Sequence, residues 1–207
     1  MRSITVSKTP LRVSFVGGGS DLAEFYEQTG EGRVISSSID KYIYITVHKR
    51  YDELTRVSYS KTELLENIDD MNHELVRESL KFMKINGGIE LTSISDLTAH
   101  GTGLGSSSAY TVGVLNALAR YGNKSYSRFN LANDACKIEI EMCNHPIGKQ
   151  DQFAAAFGGL NEIIFRKGSV DITPLNVSTE TLERFSGNLL LFDTGIKRRS
   201  SEILRGQ

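Results

Sequence analysis

The chain is short of cysteine, of surplus charge and of long apolar runs, and each shortage removes a class of function. Its two cysteines, Cys136 and Cys143, stand seven apart in a segment that reads as helix, where such positions share a face but lie too far apart to bridge. They are expected to be reduced packing residues. Basic and acidic residues number 24 and 25, for a formal net charge of -1, so no overall field draws the chain to nucleic acid or to an anionic membrane. Neither is expected as a partner. Residues 1–8 hold no signal-peptide apolar core and no run approaches membrane-spanning length, which makes the cytoplasm the expected compartment. The four histidines, His48, His73, His100 and His145, lack metal-binding spacing. Internal repeats and low-complexity tracts are also absent. What remains is a globular chain of 207 residues, 39% hydrophobic, enough for one good core or for one domain and part of a second.

Periodicity predicts mixed α/β structure. Residues 4–6 and 11–16 have strand-like composition around Pro10, and 42–47 carry a stronger β signal. A short strand is expected at 57–59, then mostly helix over 63–86 with Leu75, Leu80 and Phe82 as core contacts, ended by Gly87 and Gly88. Residues 89–94 alternate as a strand. Val112, Leu115 and Ala119 mark a buried helix over 109–121 that stops at Gly122, and Leu131, Ala135, Ile138 and Met142 mark a second over 127–143. A break at 145–148 precedes a short helical piece at 152–157, a strand at 161–165 and a partner for it at 170–174. Residues 189–192 read as a fully buried strand and 198–205 as the opening of a helix.

Chemistry concentrates in three clusters. The first is a loop with three glycines in five residues, Gly101, Gly103 and Gly105, followed by Ser106, Ser107 and Ser108 at a helix start. Glycines there let backbone N–H groups converge on an anion, the helix behind adds its dipole, and the hydroxyls can cap the helix or ligate a metal that bridges phosphates. The loop has neither the lysine before Ser/Thr of a Walker A sequence nor GxGxxG spacing. The second cluster, residues 10–21, is a strand that delivers Arg12 and ends in Gly17, Gly18 and Gly19 with Asp21 behind them, a pattern suited to a small hydroxyl-rich ligand. In the third, Glu139 and Glu141 on a helix are followed about a dozen residues later by Asp151 at the head of a small-residue helix, which gives one metal ligand and one general base. Helical phase does not separate Glu139 from Glu141. Lys149 and Gln150 lie beside Asp151 and are open between substrate contact and an exposed turn, while Lys197, Arg198 and Arg199 read as a solvated basic turn.

In this order and spacing the three clusters resemble the GHMP kinases, the superfamily of galactokinase, homoserine kinase, mevalonate kinase and phosphomevalonate kinase. The stretches PLRVSFVGGGSDLAEFY, VISSSIDKYIYI and IGKQDQFAAAFGG look most like the D-glycero-D-manno-heptose 7-phosphate kinases of that group. The resemblance implies ATP-dependent phosphorylation of a sugar hydroxyl, most simply the anomeric hydroxyl of that sugar phosphate, with Mg²⁺ as cofactor. It implies Asp151 as the base and Arg12 beside it stabilising charge. Arg12, Gly18, Gly19 and Asp21 would bind the sugar, and Gly101, Gly103, Leu104, Gly105, Ser106, Ser107 and Ser108 would hold ATP. Ser107 and Glu139 would take the metal, Glu139 being preferred to Glu141 on the resemblance alone.

The fold implied is α+β: a GHMP kinase N-terminal domain of the ribosomal protein S5 domain 2-like type with a left-handed βαβ crossover over residues 1–180, and the beginning of a truncated ferredoxin-like C-terminal domain over 181–207. The superfamily's third, C-terminal glycine-rich motif is absent from this sequence, and apolar surface around Leu190 and Phe192 is expected to stand uncovered. The alternatives are a fucose- or galactose-type sugar 1-kinase, a non-catalytic ATP- or sugar-binding regulator, and an inactive fragment. Asp151, Glu139, Ser107 and Arg12 together argue for catalysis, since a binding module has no need of a base.

Overall fold

The computed structural model describes residues 4–97 and 102–192. Its first strand, β1 (Thr5–Val16), runs through Pro10 without interruption, so the two short strands expected there are one. Proline is tolerated because the ladder to the next strand shifts register between Pro10 and Arg12, and again between Ser14 and Val16. After a short helix, α1 (Ala23–Thr29), comes β2 (Gly32–Lys49), 18 residues long. Only its second half announces itself in the sequence. The first half carries three consecutive serines, whose polarity breaks the apolar alternation, yet each finds a partner: the buried Ser36 hydroxyl donates to the Val13 carbonyl at 3.2 Å, and that of Ser38 accepts from Gly159 N–H at 2.7 Å.

The stretch 63–86 is not mostly helix. It holds β4 (Thr62–Leu65), hairpin partner of β3 (Thr55–Ser58), then a 3₁₀ turn (Ile68–Asp70) and only afterwards α2 (Glu74–Met83). Glu63 explains the fold-back. Its carboxylate accepts from Asn72 N–H at 2.8 Å, the Asn72 amide at 2.9 Å and the Tyr59 hydroxyl at 3.0 Å, which closes the segment before the helix can begin. Lys84, in the left-handed region at φ 59°, ends α2 before the glycines are reached. β5 (Ile89–Ser95) follows, running parallel to β3 with α2 between them in the chain.

Next come α3 (Ser106–Tyr121), α4 (Arg128–Cys136), α5 (Gln150–Phe157), β6 (Leu160–Arg166), β7 (Ser169–Pro174) and α6 (Thr179–Gly187). The seven strands form one sheet in the order β4-β3-β5-β2-β6-β7, with β1 lying along β2. α3 is the buried axis. Its Val114, Leu115 and Leu118 are fully buried against Ile45, Val47 and Leu91 of the sheet. Gly113 permits that approach, since a Cβ there would stand 2.9 Å from the Thr9 hydroxyl, and its carbonyl accepts from Ser7 at 2.7 Å. A second cluster joins Tyr26, Val34, Cys136, Phe153, Ile163 and Phe165.

One reading at the C-terminal side changes. Residues 189–192 form no strand and are not buried, with Leu190 80% and Phe192 77% exposed. α6 has a standard start, Ser178 Oγ accepting from Thr181 N–H at 3.2 Å, and it crosses the boundary expected after residue 180. Its Phe185 meets Phe15 of β1 edge to face at 5.1 Å. The helix expected over 198–205 and the basic run at 197–199 lie outside the described residues. No helix among the described residues is long and apolar enough to cross a membrane.

Candidate active site

After the register shift that follows Pro10, Arg12 stays paired with Ser38 of β2 and meets the glycine loop on its other side. Its backbone N–H donates to the Leu104 carbonyl at 3.1 Å, and Nη1 donates to the Gly103 carbonyl at 2.7 Å. The rest of the guanidinium grips Asp151: Nε donates to Oδ1 at 2.6 Å and Nη2 lies 2.5 Å from the same oxygen. One side chain thus joins strand, glycine loop and the first turn of α5. Gly105, at φ +70° immediately before α3, closes over this pair, and a Cβ there would stand 3.1 Å from Arg12 Cγ and 3.3 Å from Asp151 Cγ. Only glycine provides both the conformation and the space.

Behind Gly105 lie the first-turn N–H groups of the 16-residue α3, with Ser106, Ser107 and Ser108 as its opening residues. A long helix that begins on a glycine turn presents partial positive charge and unsatisfied N–H donors to an anion. Ser107 faces outward while Ser108 is buried. Gly101 lies outside the described residues.

Glu139 is fully buried and Glu141 exposed, a difference that helical phase did not give. The cause is local. α4 continues as a π-helical segment (Lys137–Met142), where Cys143 N–H reaches the Ile138 carbonyl at 2.9 Å, and the wider turn rotates Glu139 inward. Burial pushes the Glu139 carboxyl up to about 7, with the charge of Asp151 adding to the shift, while hydrogen bonds from Ser108 and Gln152 and the proximity of His145 oppose it. Gln152 Nε2 donates to Glu139 Oε2 in a very short contact; Glu139 Oε1 has no hydrogen-bond partner. A buried carboxylate oxygen held open in this way suits a hard divalent cation. No group of three or more His, Cys, Asp or Glu among the described residues is arranged to hold a metal, so a cation here would take most of its ligands from elsewhere.

Asp21 is also buried, at 3% exposed. Oδ2 accepts from Gln150 N–H at 2.9 Å and Oδ1 from Gln150 Nε2 at 3.0 Å, so both oxygens hold the start of α5. Burial raises its pKa, the Gln150 N–H opposes the rise, and the charge of Asp151 adds to it. Gly148 makes the contact possible, since a Cβ there would fall 1.9 Å from Asp21 Oδ2. Gln150 is therefore no exposed turn residue. Two cavities open beside this latch and share Gly17 and Gly18. The smaller, about 320 Å³, is bounded by Arg12, Gly18, Gly103 and Gln150. The larger, about 1080 Å³, lies to one side between Gly19, Tyr26, His145 and Lys149. The smaller one is lined by Arg12, the partner of Asp151, and by Gln150 beside it.

The structure thus gathers Arg12, Asp151, Gly103, Leu104 and Gly105 at one point, puts Ser108 and Glu139 behind it, and sets Gly18 at the cavity wall. Sequence reading missed Gln152. The signal was a second amide, two residues after Gln150, within the small apolar helix QDQFAAAF.

Residues 56–159 match the family model described as the GHMP kinases N terminal domain. The chain belongs to the GHMP kinases. It is similar to the D-glycero-alpha-D-manno-heptose 7-phosphate kinase of Campylobacter jejuni, 31% identical over 95% of this chain and 61% of the relative. It is also similar to the galactokinase of Pyrococcus furiosus, 30% identical over 96% of this chain and 55% of the relative. The GHMP kinase fold recurs in the crystal structure of a D-glycero-D-manno-heptose 1-phosphate kinase from Bacteroides thetaiotaomicron, with a TM-score of 0.79 at 23% identity over 87% of this chain and 62% of that one. The last likeness speaks for fold alone. The chain spans somewhat over half the length of each of these proteins.

Proposed function

We propose that this GHMP kinase chain transfers the γ-phosphoryl group of ATP to a sugar hydroxyl, with the anomeric hydroxyl of D-glycero-D-manno-heptose 7-phosphate as the acceptor. The observation that carries the reading is the Arg12–Asp151 pair, with Gly105 at the α3 N-terminus 3.1 Å and 3.3 Å away when extended by a Cβ. A carboxylate held by a guanidinium and pressed against an anion-binding helix start is what phosphoryl transfer to an alcohol requires. Asp151 accepts the hydroxyl proton as the sugar oxygen bonds to γ-phosphorus, the bond from γ-phosphorus to the bridging oxygen breaks, and ADP leaves. Arg12 holds Asp151 in line and, through its Gly103 contact, ties it to the loop that would cradle the phosphates with Leu104, Gly105, Ser106, Ser107 and Ser108. Gly18 and Gly19 line the sugar side, and Asp21 shapes that side through Gln150.

Glu139 and Ser107 would hold Mg²⁺, which when bound neutralises charge on the nucleotide phosphates. The sugar class rests on the 31% identity to a heptose 7-phosphate kinase over 95% of the chain; the 30% identity to a galactokinase makes galactose the second acceptor to try. ADP release with ATP and a panel of heptose 7-phosphate, mannose, fucose and galactose, on the 207-residue chain and its Asp151→Asn variant, tests the reading. Turnover on heptose 7-phosphate that falls by ~10²–10⁴-fold in the variant is expected. Equal rates in the two proteins would remove Asp151 as base, and turnover on galactose alone would reassign the acceptor.

A further inference from the structure

Gln152 is fully buried, one residue beyond Asp151 on α5, and its amide nitrogen donates to Oε2 of the equally buried Glu139. Its own carbonyl oxygen, Gln152 Oε1, has no hydrogen-bond partner. That arrangement leaves one buried polar atom of Gln152 unpaired while its amide nitrogen is spent on the Glu139 carboxylate, a cost that filling space does not require. With Glu139 ionised, as a cation ligand must be, the amide cannot be turned round, since its carbonyl would then face the carboxylate. Its orientation is therefore dictated by Glu139, and Glu139 in turn is left with one oxygen engaged and the other, Oε1, open.

Consecutive residues on a helix point about 100° apart. From the first turn of α5, Asp151 reaches Arg12, while Gln152 reaches back to the π-helical segment. An amide hydrogen bond thus ties the element that carries the base to the one that carries the buried carboxylate.

Resting on the reading of Glu139 as a cation ligand, we propose that Gln152 is a positioning residue: it fixes the Glu139 carboxylate so that Oε1 is presented to the divalent cation that accompanies the nucleotide, and it locks that carboxylate to the helix bearing Asp151. A hydrogen-bonding partner of this kind behind a metal ligand typically accounts for about 10–100-fold in metal affinity.

The probe is Mn²⁺ in the presence of ADP, followed by electron paramagnetic resonance on the 207-residue chain, on Gln152→Met, which keeps length and removes the donor, and on Gln152→Asn, a polar variant whose donor is too short to reach. ADP affinity without metal and the thermal midpoint are measured on the same samples. The expected result is Mn²⁺ binding weakened about 10–100-fold in both variants, with metal-free ADP affinity unchanged. If Gln152→Met does not fold, Gln152→Asn alone carries the comparison. Variants that lose thermal stability but bind Mn²⁺ like the parent overturn the proposal and leave Gln152 a packing residue. A parent chain that binds no Mn²⁺ with ADP overturns the cation reading of Glu139 together with this one, so the two failures are told apart.

Discussion

At the scale of single residues, the site depends on what burial does to carboxylates. Glu139 has its ordinary value of 4.5 pushed up to about 7, chiefly because burial penalises its charged form. A carboxyl whose pKa is raised in the folded state holds its proton there after the unfolded chain has released it. Its stabilising contribution is therefore full below about pH 4.5 and is lost as pH rises through about 7. In the metal-free chain, Glu139→Gln removes this loss, worth on the order of 3 kcal/mol at pH 8 and little at pH 4.5. Thermal midpoints of parent and variant taken across that range should diverge as pH rises, the variant ending several degrees higher. A pH-independent difference would mean that Glu139 is accommodated as an ion at no cost. Asp21 solves the same problem differently. It turns both oxygens to Gln150 and serves as an anchor for α5.

At the scale of elements, α5 is held at its start by contacts that leave no spare room. Gly148→Ala would put a Cβ 1.9 Å from Asp21 Oδ2, whereas at Gly18 a Cβ meets nothing within 4 Å. Overpacking of the first kind typically costs about 1–3 kcal/mol or more. Gly148→Ala should therefore lower the thermal midpoint and slow turnover together, while Gly18→Ala should leave the midpoint unchanged and raise KM for the sugar. Equal midpoints in the two variants would show that the Asp21–Gln150 latch gives way easily. Those constraints were only half legible in the sequence. Helix α3 was, because Val112, Leu115 and Ala119 keep strict helical spacing up to Gly122. So were the glycine loop and the Arg12 and Asp151 positions, through motif order. The first half of β2 was not, because Ser36 and Ser38 are satisfied by partners far away in sequence, and neither was the β3–β4 hairpin, which Glu63 folds back through Asn72. The π-helical turn that decides between Glu139 and Glu141 has no local signature at all; it is a one-residue change of phase visible only once Ile138 and Glu139 are both inside.

At the scale of the whole molecule, the core is well covered while exposed apolar residues concentrate between positions 177 and 192. Val177, Leu182 and Phe185 are about 40% exposed on and just before α6, and Leu189, Leu190, Leu191 and Phe192 range from 48% to 80%. The sequence suggested a buried strand at 189–192 because four consecutive apolar residues usually mean burial; among the described residues nothing covers them. Scattered exposed apolar side chains are ordinary, but seven within 16 residues is a concentration of the kind that binds hydrophobic dyes and promotes self-association. The 207-residue chain should therefore enhance the fluorescence of an anilinonaphthalene dye at neutral pH and scatter more light per unit mass as its concentration rises. Replacing Leu190 and Phe192 by serine should cut both signals to less than about half while leaving the thermal midpoint in place, because neither side chain is buried in the core. A parent chain that binds no dye and scatters as a monomer at every concentration would mean that this stretch is covered in solution, and with it that 189–192 find a partner surface within the chain.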